Sequence, residues 1–177
     1  MNIYSALEEI RKRSKNELEK GKAFESLSKI FFEQDPIQAD QFEKIWTYED
    51  WAKENPKYSS TDIGIDLVAK ISGSDRFAAI QSKCYEKTHV ISKPDIDSFI
   101  SASSSDIFER LILIDTSSQS LGKNTLRVLN TLDKQYNRIQ SGELESSPID
   151  WMKYIKDEKI EKISNKEPRD HQILCVN

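Results

Sequence analysis

The sequence is poor in cysteine: Cys84 and Cys175 are the only two in 177 residues. They form no C-x-x-C pair, which excludes a disulfide framework and a cysteine-built zinc site. Histidine is as scarce, and His89 and His171 match no metal-ligand spacing, so both read as ordinary surface side chains. No apolar run reaches membrane-spanning length. The N-terminal stretch MNIYSALEEIRKRSK is amphipathic and charged, and it lacks the apolar block and small-residue cleavage site of a signal peptide. These absences lead to the expectation of a cytoplasmic protein with no membrane partner. An excess of positive charge is also missing, since the formal net charge is −4. That argues against a purely electrostatic DNA binder. It does not argue against a nuclease, whose site must itself hold carboxylates for metal. No internal repeat is visible, and the one low-complexity trace is SASSSD at Ser101–Asp106.

What is present suffices for one globular domain with a buried core, at 37% hydrophobic and 32% charged residues. Phe24, Leu27, Ser28 and Phe31 fall at i, i+3, i+4 and i+7 and predict a helix from about Leu18 to Glu33, with Pro36 just past its end. Glu25 borders that apolar face. QFEKIWTYEDWAKENP predicts a short strand and then a short helix stopped before Pro56. IGIDLVAKI and RFAAIQSKCY flank the turn-like SGSD and predict two strands. Pro94 suits the first turn of a helix over KPDIDSFISAS, and RLILIDTSS reads as a buried strand. TLRVLNTLDKQYNRI reads as a helix with Val128, Leu129, Leu132, Tyr136 and Ile139 on one side. Strand, helix, strand from Arg76 to Thr116 is a βαβ unit, so part of the sheet is expected to be parallel. The fold class is α/β. One sheet face is expected under the first helix and the other under the helix from Gly122 to Ile139.

The strand pair raises a chemical question, because it sets charged and amide side chains among residues that favour burial. Side chains alternate along a strand, so Gln81 and Lys83 share a face with Phe77 and Ala79. If the two strands pair around SGSD, Asp66 reaches Gln81 and Lys83. Taken singly, a strand lysine is a solvated edge charge and an aspartate before an apolar run is a turn residue. Taken together they make a site: a carboxylate, an amide oxygen and an amine at one end of a sheet. Magnesium takes hard oxygen ligands and keeps several waters. Asp66 supplies a charged oxygen, and the Gln81 side chain or the Ser82 carbonyl a neutral one. Lys83 can hold an attacking water and stabilise charge at phosphorus, and the metal lowers that water's pKa. Glu25 is a further candidate ligand or water holder.

GKAFE, DIGID and IQSKCY together resemble the Mrr-like branch of the PD-(D/E)XK nucleases, in which Q-x-K replaces the commoner (D/E)-x-K. KPDIDSFISAS, RLILIDT, GKNT and SPIDW extend the likeness. They resemble the N-terminal nuclease domain of type ISP restriction–modification enzymes and related helicase–nuclease fusions, over about Gly21 to Trp151. The resemblance implies a restriction-endonuclease-like fold with a mixed central sheet flanked by helices. It implies a Mg2+-dependent endonuclease, with Mn2+ as a substitute metal, acting on double-stranded DNA. Asp66 would take the metal-binding aspartate role, Gln81 and Lys83 the Q-x-K roles, and Glu25 the helix glutamate role. Asp62 matches a frequent acidic position. The rival readings are a repair or recombination nuclease on the same fold and an inactive module that only docks DNA or a motor. A dead site would lose Asp66 or Lys83, and both are present.

Lys87, Lys93 and Lys123, each expected in a loop or helix start near a strand end, are candidates for the DNA-binding rim. SSQSLGKNT fails as a phosphate-binding loop, because Ser117 and Asn124 stand where glycine and Ser/Thr are needed. Trp46, Trp51 and Trp151 can stack on bases, although packing is the commoner role. The tail SNKEPRDHQILCVN resembles the R-x-x-Q entry segment of superfamily 2 helicases, with Arg169 and Gln172 matching. The expected organisation is a nuclease domain over 1–160, and a linker with the start of a motor over 161–177. ATP would serve only that motor. Downstream helicase or translocase parts, and a methyltransferase on the restriction reading, are the expected partners.

Overall fold

The structure, a computed structural model, describes residues 2–59, 61 and 63–156. Asp62, Arg169, Gln172, His171, Cys175 and the expected linker and motor start at 161–177 lie outside the described residues. The chain begins with α1 (Ile3–Arg13), capped by the Asn2 side chain, which accepts from the Tyr4 and Ser5 amides. Ile3, Ala6, Leu7 and Ile10 form its buried stripe. Asn16 caps α2 (Glu17–Gln34), which buries Phe24, Leu27, Ser28, Phe31 and Phe32. Asp35 then caps the short α3 (Pro36–Gln41), with Pro36 in its first turn. There follow β1 (Phe42–Thr47), α4 (Tyr48–Glu54), β2 (Leu67–Ile71), β3 (Phe77–Lys83), α5 (Lys93–Ala102), β4 (Phe108–Asp115), α6 (Lys123–Thr131), β5 (Gln135–Ile139) and α7 (Ser141–Ser146).

The sheet is mixed, in the order β1-β2-β3-β4-β5. The pairs β1/β2 and β2/β3 are antiparallel, and β3/β4 and β4/β5 are parallel. Gly73, at φ +71, turns the β2–β3 hairpin. The parallel pair β3/β4 is joined through α5, as the sequence predicts. Alternation sorts the sheet into two buried faces. Leu67, Ala69, Ile71, Ala78, Ile80, Ile112 and Ile114 pack with residues of α1, α2 and α7. Val68, Ala79, Phe108 and Leu111 pack with Trp51 of α4 and Phe99 of α5, while Leu113 meets Ile96 of α5 and Leu129 of α6. The first face lies under α2 as expected, whereas the second, expected under one helix from Gly122 to Ile139, is covered by α4 and α5 with α6 packing near Leu113. Trp51 and Trp151 are fully buried and serve packing. Trp46 is half-buried, and its indole N–H donates to Glu54 (3.1 Å).

One predicted element is wrong. The long helix expected through Ile139 ends at Thr131, and Gln135–Ile139 is the parallel edge strand β5. Leu132 turns extended, at ψ 136. The Lys134 ammonium then donates to the carbonyls of Ser103 (2.7 Å) and Ser105 (2.6 Å), tying the turn to the end of α5. Burial lowers the Lys134 pKa from its ordinary value. In β5, Tyr136 and Arg138 face the α5/α6 side. There the Arg138 guanidinium grips the Asp115 carboxylate at 2.7 and 3.0 Å, and Asp115 is fully buried.

Candidate active site

The site is built at the end of the hairpin where β2 begins and β3 ends. Asp66 stands directly before β2, and two of its hydrogen bonds bracket Gln81. Its backbone N–H donates to the Ile80 carbonyl (3.0 Å), and its Oδ2 accepts the Ser82 N–H (2.7 Å). The backbone therefore sets both the position and the rotation of the carboxylate. Gln81 is 4% exposed, on the same face as Ala79. Its Nε2 donates to the Gly64 carbonyl at 3.1 Å. A carbonyl partner can only face the NH2 end of an amide, so this bond fixes which way the amide points. Oε1 is left buried without a hydrogen-bond partner among the described residues. A buried acceptor left without a partner costs about 1–3 kcal/mol.

Gly64 is the part of this arrangement that sequence reasoning missed. Its φ is +95, and a Cβ there would lie 2.8 Å from the backbone carbon of Ser98. The loop before Asp66 thus presses on α5 at a point where only glycine fits. Gly64→Ala is expected to destabilise the fold by about 1–3 kcal/mol and to lower cleavage further by pulling the carbonyl away from Gln81. Chemical denaturation and a cleavage assay on the same preparation check both effects. Equal stability with equal activity would show that the loop yields freely. The sequence signal was the lone glycine of DIGID, flanked by residues that prefer extended backbone.

Lys83 is half-buried, one pleat beyond Gln81 on the same face, and in register with Asp115 of β4. Glu25 is placed differently. It lies on α2, whose apolar side covers the opposite face of the sheet, and its carboxylate is held by Lys22 at 2.9 Å. No hydrogen bond joins it to Asp66, Gln81 or Lys83 among the described residues. Lys87, Lys93 and Lys123 all lie past the C-terminal ends of the parallel strands β3 and β4, at the same edge as Lys83. Lys87 is in the loop after β3, and Lys93 and Lys123 are the first residues of α5 and α6. Lys93 pairs with Asp97 (2.8 Å). Gly122 and Thr125 both donate to the Ile91 carbonyl, which stitches the two loops together.

That loop also corrects the reading of His89 as a plain surface side chain. Its ring stacks on Tyr85 with centroids 3.9 Å apart, and its Nε2 lies 3.2 Å from Asp95 Oδ2. Asp95 further accepts the Tyr85 hydroxyl (3.2 Å) and the Ser92 amide and hydroxyl (2.8 and 2.9 Å). Burial pushes the Tyr85 hydroxyl pKa up, and the Asp95 carboxylate adds to the shift. Burial also works to raise the Asp95 pKa. The bonds from Ser92, His89 and Tyr85 outweigh it, so the carboxyl is held below its ordinary value. A carboxyl more acidic folded than unfolded stabilises fully above its unfolded pKa of about 3.9. That stabilisation disappears as pH falls through the folded value. Asp95→Asn should therefore flatten the acid limb of the stability–pH curve in denaturation scans. An unchanged limb would remove Asp95 from the account. Burial raises the Cys84 thiol pKa, which disfavours the thiolate form.

No three His, Cys, Asp or Glu side chains converge on a metal position among the described residues. Magnesium does not need such a cage, since it is held by one or two carboxylates, waters and substrate phosphate. The buried, unpartnered Gln81 oxygen beside Asp66 is a donor set of that sparse, hard-oxygen kind.

No curated protein and no solved structure matches the chain. The family model of the Mrr-like restriction endonuclease catalytic domain does match, over residues 33–161. The matched stretch contains Asp66, Gln81, Lys83 and the mixed sheet that carries them, and leaves out α1 and Glu25. The chain belongs to the Mrr-like restriction endonuclease family, a nuclease domain whose substrate is DNA.

Proposed function

We propose that this chain is a metal-dependent endonuclease module that hydrolyses DNA phosphodiesters at Asp66, Gln81 and Lys83. The observation that carries the reading is the Gln81 amide. It is pinned by Gly64 so that its oxygen lies buried, unpartnered and beside a backbone-anchored carboxylate. Asp66 and Gln81 would hold Mg2+ or Mn2+, which when bound supplies a Lewis acid and a lowered water pKa. Lys83 places a positive charge on the same face, where negative charge develops as phosphorus is attacked. Glu25 would join from α2, and its pairing with Lys22 is no barrier, since an ion pair between partly exposed side chains is worth at most about 1 kcal/mol.

The wider setting we infer is the cleavage module of an ATP-dependent restriction–modification enzyme. The likeness of KPDIDSFISAS, RLILIDT, GKNT and SPIDW to such domains, and of Arg169 and Gln172 to a helicase entry segment, supports it. The test of the chemistry is incubation of the purified chain with duplex DNA in Mg2+, Mn2+ or EDTA. Cleavage should appear with either metal and vanish in EDTA, with little sequence preference. DNA binding without cleavage in any metal would instead favour a docking module.

A further inference from the structure

The densest cationic run in the chain is RKRSK, with four cations in the five residues Arg11–Lys15. From Arg11 to Lys22 there are six cations against two carboxylates, in a chain whose net charge is −4. The run closes α1, which the family match over residues 33–161 does not reach. Yet α1 is docked against the active edge. Arg11 Nη2 donates to the carbonyl of Tyr85 at 3.1 Å, two residues past Lys83. The Arg11 guanidinium also lies 3.7 Å from the Glu86 carboxylate. Seven residues earlier on the same side of the helix, the Tyr4 ring receives the Lys87 ammonium at 4.7 Å. Arg13 is occupied by Glu9 (2.6 Å) and by the Ile155 carbonyl. Lys12 and Lys15 are exposed and ion-paired to nothing among the described residues.

We propose that the C-terminal end of α1 and the residues just after it form a contact surface for the DNA backbone, with Lys12 and Lys15 meeting phosphates. Arg11 holds this surface against the strand that bears Lys83. The proposal rests on the nuclease reading for the identity of its partner, and not on any catalytic role. The physical need is plain. A duplex carries one charge per about 1.7 Å of axis, and its sequence-independent affinity comes from Lys and Arg replacing condensed counterions. A site that presents carboxylates must recruit those cations from nearby elements. Lys93 and Lys123 offer them on the α5/α6 side of the sheet, and α1 offers them on the other. Cations on both sides let one duplex straddle the edge that carries Asp66.

The test is Lys12→Glu with Lys15→Glu in the full chain, with duplex binding followed by fluorescence anisotropy across salt concentrations in EDTA. EDTA separates binding from cleavage. Two lost phosphate contacts should make the slope of log K against log salt shallower by about 1.8 and weaken binding at low salt. Lys29→Glu is the control for a charge reversal away from this surface, although Lys29 is itself paired with Glu33. It lies toward the C-terminal end of α2, near the Phe32–Phe42 contact at the far end of the hairpin, and should leave binding unchanged. An unaltered slope and affinity in the double variant would overturn the proposal, as would an equal loss in the Lys29 control. A loss on single-stranded RNA with duplex binding intact would also overturn it. If the slope shifts while Asp66→Ala still cleaves DNA, the catalytic assignment fails and this surface stands.

Discussion

Lys83→Ala is expected to reduce DNA cleavage by about 10²–10³-fold, the typical cost of removing one charge-stabilising donor at a reacting centre. DNA affinity should change by less than about threefold, because one lysine supplies at most one phosphate contact. The asymmetry follows from position. Lys83 ends β3 one pleat beyond Gln81 and shares its face, so on the proposed reading its ammonium acts at the reacting centre rather than at the rim. Only interactions that strengthen in the transition state accelerate the chemical step. Single-turnover cleavage and anisotropy on the same duplex separate the two effects. Parallel losses in both would make Lys83 a phosphate clamp and move the chemistry elsewhere.

Arg138→Ala should be the most damaging substitution for stability. It leaves the Asp115 carboxylate, 0% exposed, without its bidentate partner. Breaking a buried pair from one side costs about 3–5 kcal/mol, a fall in Tm of roughly 6–20 °C for a chain of this size. Arg138 also donates to the Gln119 carbonyl at 2.8 Å, so the loop that leads to Lys123 should loosen with it. Removing both charges, as Arg138→Met with Asp115→Leu, should recover much of the loss, since an apolar pair of similar volume is often neutral. A small Tm change in the single variant would mean that water reaches Asp115 once the arginine is gone.

The hairpin and the βαβ unit were legible because their signals are local. SGSD punctuates two apolar runs, Pro94 opens a helix, and the alternation of Ala79, Gln81 and Lys83 fixes which side chains share a face. The α6–β5 boundary was not legible. Leu129, Leu132, Tyr136 and Ile139 keep a spacing near 3.6 residues, and only the distant carbonyls of Ser103 and Ser105 draw Lys134 into a turn. The ion pair of Asp115 and Arg138 is hidden for the same reason, since it joins residues 23 apart. At the site, the spacing brought Asp66 and Gln81 together, but nothing local said that Gly64 would orient the amide. The Asp95 hub was half visible. S-x-x-D at Ser92–Asp95 is a helix-start pattern, whereas its bonds to Tyr85 and His89 depend on the fold of the intervening loop. GKAFE marked Glu25, but its pairing with Lys22 on a helix that covers the other sheet face was not legible, because it depends on how α2 packs.

The most direct test of the central claim is cleavage of duplex DNA in Mg2+ by wild type and by Asp66→Ala, with binding measured in parallel. Wild type should cut only when the metal is present. The variant should bind DNA and fail to cut it, because the charged oxygen anchored by the Ser82 amide is gone. Undiminished metal-dependent cleavage by Asp66→Ala would contradict the account and place the reacting centre away from the β2–β3 hairpin.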